Sequence, residues 1–265
     1  MLLSFFLLAL GGILAGLLSG MLGIGGGIVV VPLLIYLLPL MGIEAALVVP
    51  MAVGTSLATI VVTTLSGAYA HHRHRMILWP WVGLIAPCMV GGGIVGAMLG
   101  VKIEPQLLQR IFATVLLLLA ARMIWKMQPR ADDKRIRRTP VRLWSVGIGV
   151  ISSLVGIGGG ALVVPLLHFY QITMRHAVAV AAVCSVLLAF VGTITYALLG
   201  QQVSAGVVKG AVGFIYLPAW LGIAVMSVLM APVGARLARI LPVRWLQRAF
   251  ALLLIVVSVH LFVTV

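Results

Sequence analysis

Residues 20–34 read GMLGIGGGIVVVPLL, and residues 153–167 read SLVGIGGGALVVPLL. A chain that carries this stretch twice has to build two like units, each with a glycine run inside an apolar segment. Further landmarks recur in the same order. Pro80 matches Pro218, Gly96-Ala97 matches Gly234-Ala235, and Leu108-Gln-Arg-Ile-Phe-Ala113 matches Leu246-Gln-Arg-Ala-Phe-Ala251. Each half then divides into four apolar segments, at 2–40, 44–70, 76–100 and 105–126, and at 143–171, 176–200, 206–238 and 242–265. The expected organisation is an N-terminal repeat over 1–126, a basic linker over 127–142 and a C-terminal repeat over 143–265.

These segments point to a bilayer. Only 8% of the residues are charged while 63% are hydrophobic, against about 25% charged in soluble domains. A spanning helix needs about 20 mostly apolar residues, and the weak alternation of spanning strands is absent. The formal net charge of +14 does not indicate a nucleic-acid partner, because nearly half of the 18 Lys and Arg lie in the single run Arg122–Arg142. Positive loops between apolar spans mark the cytoplasmic side, and this run suits anionic lipid headgroups. The fold class read from the sequence is therefore an all-α, multi-pass membrane bundle of two homologous repeats.

The opening segment of each half is unusual. Each interior helical Gly costs about 1 kcal/mol against Ala, and a proline follows the glycine run in both copies. The pieces on either side in the second half, 143–155 and 161–172, are too short to cross alone. Either each broken segment crosses once or it re-enters as a hairpin. With single crossings the halves are parallel, placing 11 of the 18 Lys/Arg inside and seven outside. With hairpins the second half is inverted, and 15 lie inside with Lys102, Arg110 and Lys209 outside. The positive-inside rule favours the inverted arrangement.

Interrupted segments at matching positions of two halves are the sequence sign of a transporter's binding site. Bare glycine backbone offers N–H groups, and the half-helix after the break adds partial positive charge, so the pair suits an anion. The candidate substrate-binding residues are Gly23, Gly25, Gly26 and Gly27 with Gly156, Gly158, Gly159 and Gly160. Beside them stand the hydroxyls Thr55 and Ser56 and, at the matching position, Ser185. Thr59, Thr63, Thr64, Ser66 and Thr193 are weaker candidates, since helical Ser and Thr commonly bond their own backbone. Arg110 and Arg248, repeated within the Leu-Gln-Arg pattern, are alternative anion contacts, with snorkelling to the interface as the plainer reading. The spacings Gly12-x-x-x-Gly16 and Gly92-x-x-x-Gly96 read as close helix packing.

Other features carry less. Cys88 and Cys184 sit in apolar stretches and read as small buried hydrophobes. His71-His-Arg-His74 lacks carboxylate or thiolate companions and reads as a cytoplasmic loop rather than a metal tract. His168, His176 and His260 are scattered, with nothing to link them to proton coupling. Glu44 and Glu104 sit near the starts of spans, where either could cap a helix. The N-terminus lacks a positive n-region and a cleavage site, so no removable signal peptide is expected. GIGGG lacks the preceding strand, the lysine and the downstream acid of nucleotide-binding loops. Four acids in all, none paired within a span, leave no catalytic constellation, so neither an enzyme nor a cofactor is expected.

The duplicated GMLGIGGG…VVPLL with Gly54-Thr55-Ser56 resembles the sulfite exporter TauE/SafE family of bacterial membrane permeases, over nearly the whole chain. That resemblance implies a multi-pass inner-membrane transporter for sulfite, sulfoacetate or a related organosulfonate. Carried over by position, its motif residues are Gly23, Gly25, Gly26, Gly27 and Pro32, with Gly156, Gly158, Gly159, Gly160 and Pro165. The second half departs from the pattern, with Val183-Cys184-Ser185 standing where the first has Gly54-Thr55-Ser56. The expected partners are a small sulfur oxyanion or sulfonate and membrane lipid, with a coupling ion and a homo-oligomer left open. The rival readings are an anion channel of the same fold and a non-transporting protein that binds a partner or lipid.

Overall fold

The computed structural model describes residues 2–22, 25–124, 138–204, 208–240 and 243–263. Ten helices and one short hairpin make up these residues. The first half contributes α1 (Leu2–Leu22), α2 (Gly27–Leu40), α3 (Ala45–Arg73), α4 (Trp79–Lys102) and α5 (Pro105–Ile124). The second contributes α6 (Arg138–Val155), α7 (Gly160–Phe169), α8 (Met174–Ser204), the strands β1 (Ala211–Val212) and β2 (Ile215–Tyr216), α9 (Leu217–Ile240) and α10 (Val243–Val263). In an apolar medium each backbone N–H and C=O must be satisfied internally, which leaves helices as the default for these apolar runs. Among the described residues, four helices are long and apolar enough to cross a membrane: Ala45–Arg73, Trp79–Lys102, Met174–Gln201 and Leu217–Gly234.

Contacting residues give the helix directions. Gly26 lies against the Ala15 carbonyl and Gly11 against Leu33, so α2 folds back antiparallel to α1. Gly12 meets Ile223 and Gly16 meets Ser227, so α1 and α9 run parallel. Gly92 meets Val146 and Gly96 meets Val150, so α4 and α6 also run parallel. Across the centre, Gly54 lies by Tyr196 and Leu57 by Gly192, so α3 and α8 are antiparallel. So are α5 and α10, through Ser258 Oγ to the Ala113 carbonyl (2.8 Å) and Gln109 Nε2 to the Leu261 carbonyl (3.2 Å).

The GxxxG glycines pack as their spacing predicts. A Cβ on Gly12 would stand 2.8 Å from the Ile223 carbonyl oxygen, and Cβ atoms on Gly92 and Gly96 would strike the carbonyls of Val146 and Val150. The core is continuous through the middle of the bundle. Met51, Leu57, Ile60, Met89 and Tyr196 are fully buried, while Leu118, Trp144 and Leu252 face outward.

Two segment boundaries differ from those read in the sequence. The stretch 127–142 does not stay outside the helices to its end, because α6 begins at Arg138; Pro140 in the first turn needs no N–H partner there, which suits a start. The stretch 206–238 is not one helix, because β1 and β2 precede α9. Gly210 and Gly213 take φ of 82° and 57°, and a helix cannot pass through two left-handed residues so close together.

Candidate functional site

Both glycine runs form turns rather than helix. Gly25 and Gly26 have φ of 84° and 74°, and Gly156, Gly158 and Gly159 have φ of 76°, 77° and 80°. An L side chain in that region costs roughly 1–2 kcal/mol, so these backbone shapes call for glycine. Each turn ends in a left-handed N-cap, Gly26 for α2 and Gly159 for α7, with no side-chain cap.

The two turns meet. A Cβ on Gly27 would stand 2.5 Å from the Gly156 carbonyl oxygen and 3.0 Å from Ser56 Oγ. Ser56 Oγ donates to that same Gly156 carbonyl at 2.9 Å, tying α3 of the first half to the turn of the second. Thr63 Oγ1 donates at 3.2 Å to the Gly25 carbonyl. Ile60 fills the space between: its side chain reaches within 3.2 Å of a Cβ position on Gly25 and 2.8 Å of one on Gly158. The structure thus gathers Gly25, Gly26, Gly27, Ser56, Gly156, Gly158, Gly159 and Gly160 into one buried region.

The remaining candidates behave differently. Thr55 Oγ1 accepts a hydrogen bond from the Tyr216 N–H at 3.0 Å, so it anchors the β1–β2 hairpin. Ser185 is buried, and its Oγ has no hydrogen-bond partner. Thr59 and Thr64 donate to the carbonyls of Thr55 and Ile60 on their own helix. Arg110 is exposed on α5, which fits the snorkelling reading and takes it out of the buried region. Gly23 and the side chain of Arg248 lie outside the described residues. His176 Nδ1 lies 2.7 Å from the Met76 carbonyl and so has a structural partner. Among the described residues no cluster of His, Cys, Asp and Glu could hold a metal ion.

Sequence reading missed several residues that shape this region. Ile60, Met89 and Leu188 pack on the glycines, but an apolar residue in an apolar span carries no signal. Ser152 and Ser153, at the end of α6, are buried with unpartnered hydroxyls. Ser152 could have been found, since it stands where the first repeat has Ser19, itself buried. A separate groove of about 630 Å³ lies between α2, α3, α5 and α10, lined by Pro32, Tyr36, Glu104, Gln109 and His260 among others.

Comparison with known proteins decides the family, because the description "sulfite exporter TauE/SafE" matches residues 8–261. The chain belongs to the sulfite exporter TauE/SafE family. It is 36% identical over 253 residues to a probable membrane transporter protein of Haemophilus influenzae, covering 95% of each chain. A probable membrane transporter protein of Methanocaldococcus jannaschii is 29% identical over 194 residues, covering 72% of this chain and 71% of its own. The Bacillus subtilis protein YunE, also a probable membrane transporter, is 27% identical over 219 residues, 75% of this chain and 80% of its own. No solved structure matches. With its apolar helices, this TauE/SafE member is a multi-pass membrane transporter.

Proposed function

We propose that this transporter moves a small anion, a sulfur oxyanion or an organosulfonate, across the bacterial inner membrane. The observation that carries the reading is the meeting of the two glycine turns at Gly27 and Gly156. Irregular backbone at membrane depth persists only where protein or a cavity satisfies it, and here two such stretches converge beside the buried hydroxyls of α3. No Lys or Arg whose side chain is described is buried, so among these residues an anion would be held by backbone and hydroxyl donors.

The reading includes two repeats, 1–126 and 143–265, joined by the linker 127–142, with the second repeat inverted. Sequence-equivalent helices that run oppositely support inversion: α3 against α8 through Leu57 and Gly192, and α5 against α10 through Ala113 and Ser258. The fold-back of α2 on α1 supports a re-entrant first segment. Transport then follows from rocking of one repeat against the other around the meeting point.

Counterflow in proteoliposomes tests this function. Sulfite flux that saturates and is accelerated by unlabelled sulfite on the far side is the expected result. Flux that rises linearly without counterflow would favour a channel, and no flux of any sulfur anion would remove the substrate class. Gly26→Leu and Gly159→Leu should abolish transport while leaving protein in the membrane, and normal flux in both would remove the glycine turns from the site.

A further inference from the structure

Several hydroxyls in this bundle satisfy themselves. Thr59, Thr64, Ser145, Thr193 and Thr195 each donate to the carbonyl four residues back on their own helix, the usual recourse of helical Ser and Thr. Ser56 and Ser258 bond carbonyls of other elements. Ser152, Ser153 and Ser185 do neither: they are 0%, 0% and 1% exposed, and their Oγ atoms have no partner. A buried hydroxyl without a partner costs stability, and here three lie on α6 and α8, the helices beside the second glycine turn.

The geometry directs Ser152 at that turn. Its Oγ stands 3.5 Å from where a Cβ on Gly159 would be. Ser185 lies one helical turn before Leu188, whose Cδ2 is 3.2 Å from the same position. Gly159 is the N-cap of α7, and the first backbone bonds of that helix run from Leu162 and Val163 to the Gly159 carbonyl. Gly160 and Ala161 therefore present the unpaired N–H groups that any helix start leaves. The equivalent serine of the first half, Ser56, is already committed to the Gly156 carbonyl, so the two halves are not alike here. Met89 lays its terminal methyl on Gly159, closing the place, and an unbranched methionine readily shifts to another rotamer.

We propose that the carried ion seats at the second turn, at the start of α7, with Ser152 and Ser185 as hydroxyl donors, and that it is a singly charged oxyanion. This rests on the small-anion reading above and names its site and charge. The charge follows from the donors. Apart from the Tyr196 phenol, which donates to the Ser153 carbonyl, every buried polar side chain among the described residues is a Ser or Thr, and none is charged. Neutral donors and the half charge of a helix start can offset one negative charge in a low dielectric. A second charge would stay uncompensated, and burying it is prohibitive. A sulfonate or hydrogen sulfite fits, and a dianion such as sulfate does not.

Calorimetry on the full chain in nanodiscs, with methanesulfonate and sulfate as probes, tests the proposal. Methanesulfonate should bind at least about tenfold more tightly than sulfate. Ser152→Ala and Ser185→Ala should each weaken methanesulfonate about tenfold, the loss expected for one hydrogen bond to a charged group. Their ligand-free melting temperatures should hold or rise, since each substitution removes an unpartnered buried group. Ser145→Ala, on the same helix with its hydroxyl satisfied by the Val141 carbonyl, should leave affinity unchanged. Undiminished binding in both serine variants, a lowered ligand-free melting temperature, or tighter binding of sulfate would each overturn the proposal. Wild-type protein that binds neither anion overturns the small-anion reading with it. Wild-type binding that survives both serine substitutions overturns only the seat.

Discussion

At the scale of single residues, two hydroxyls that look alike in the sequence do different work. Thr55 accepts the Tyr216 N–H, and Ser56 donates to the Gly156 carbonyl. Thr55→Val keeps the shape but leaves the half-buried Tyr216 N–H without an acceptor, at a cost of about 1–2 kcal/mol, toward the lower end of the range for a fully buried donor. Thr55→Ser keeps the acceptor and should cost under about 1 kcal/mol. Thermal melting of the purified variants should rank them in that order, and equal melting would mean the hairpin is not anchored at Thr55. Ile60 permits a similar graded test, since it is fully buried between the two turns. Ile60→Val should cost about 0.5–1.5 kcal/mol and Ile60→Ala about 2–5 kcal/mol. If Ile60→Ala melts like the wild type, the space between the turns is not packed as described.

At the scale of elements, glycines sort by what lies next to them. Gly96 presses on the Val150 carbonyl of α6, whereas Gly91, on the same helix, has nothing within 4 Å of its Cβ position. Gly96→Leu should therefore part α4 from α6 and abolish monodisperse protein in detergent. Gly91→Leu should elute as the wild type does, and matching behaviour of the pair would contradict the α4–α6 packing. The hairpin offers a second contrast. A Cβ on Gly213 would run into the Ala197 carbonyl, while one on Gly210 meets only Pro218 at 3.5 Å. Both residues have positive φ, so Gly210→Ala should cost roughly 1–2 kcal/mol and Gly213→Ala distinctly more. The helices were legible in the sequence because apolar runs punctuated by Gly and Pro admit little else in a bilayer, and the GxxxG contacts were legible from spacing alone. The hairpin was not. Residues 206–238 are apolar throughout much of their length, and only the glycines at 210 and 213 hinted at a turn. The candidate site was legible where it is made of glycine, since the duplicated run marks itself. Ser152 was within reach through its repeat counterpart Ser19, but the apolar walls at Met89 and Leu188, and the unpartnered Ser153, depend on which faces α4, α6 and α8 turn toward each other, and one sequence does not state that.

At the scale of the whole molecule, the direction of each helix and the distribution of charge both support the proposed inverted arrangement. If α1 and α2 form a hairpin that does not cross, α3, α4 and α5 carry the first half across three times and the linker lies on the same side as Arg73 and Arg75. The second half, repeating the pattern from the other side, returns Arg175 to the linker side and puts Lys209 opposite. If each broken segment crossed, the two would exchange: Arg175 would lie opposite the linker and Lys209 beside it. Fifteen of the 18 Lys/Arg share one side in the first arrangement and 11 in the second, so the positive-inside rule favours the first. Single cysteines decide between them. In a background with Cys88 and Cys184 replaced, Asp133→Cys marks the linker side, and Arg175→Cys and Lys209→Cys report the rest. Cysteines at 133 and 175 should react with a membrane-impermeant maleimide only after cells are opened, and the cysteine at 209 should react in intact cells. Labelling at 175 but not at 209 in intact cells would instead make the two halves parallel. The antiparallel pairing of α3 with α8, and of α5 with α10, would then have no place in the folded protein. The pairings and the topology stand or fall together, because two equivalent helices can pack antiparallel across the centre of a bilayer only when the repeats that carry them enter it from opposite sides.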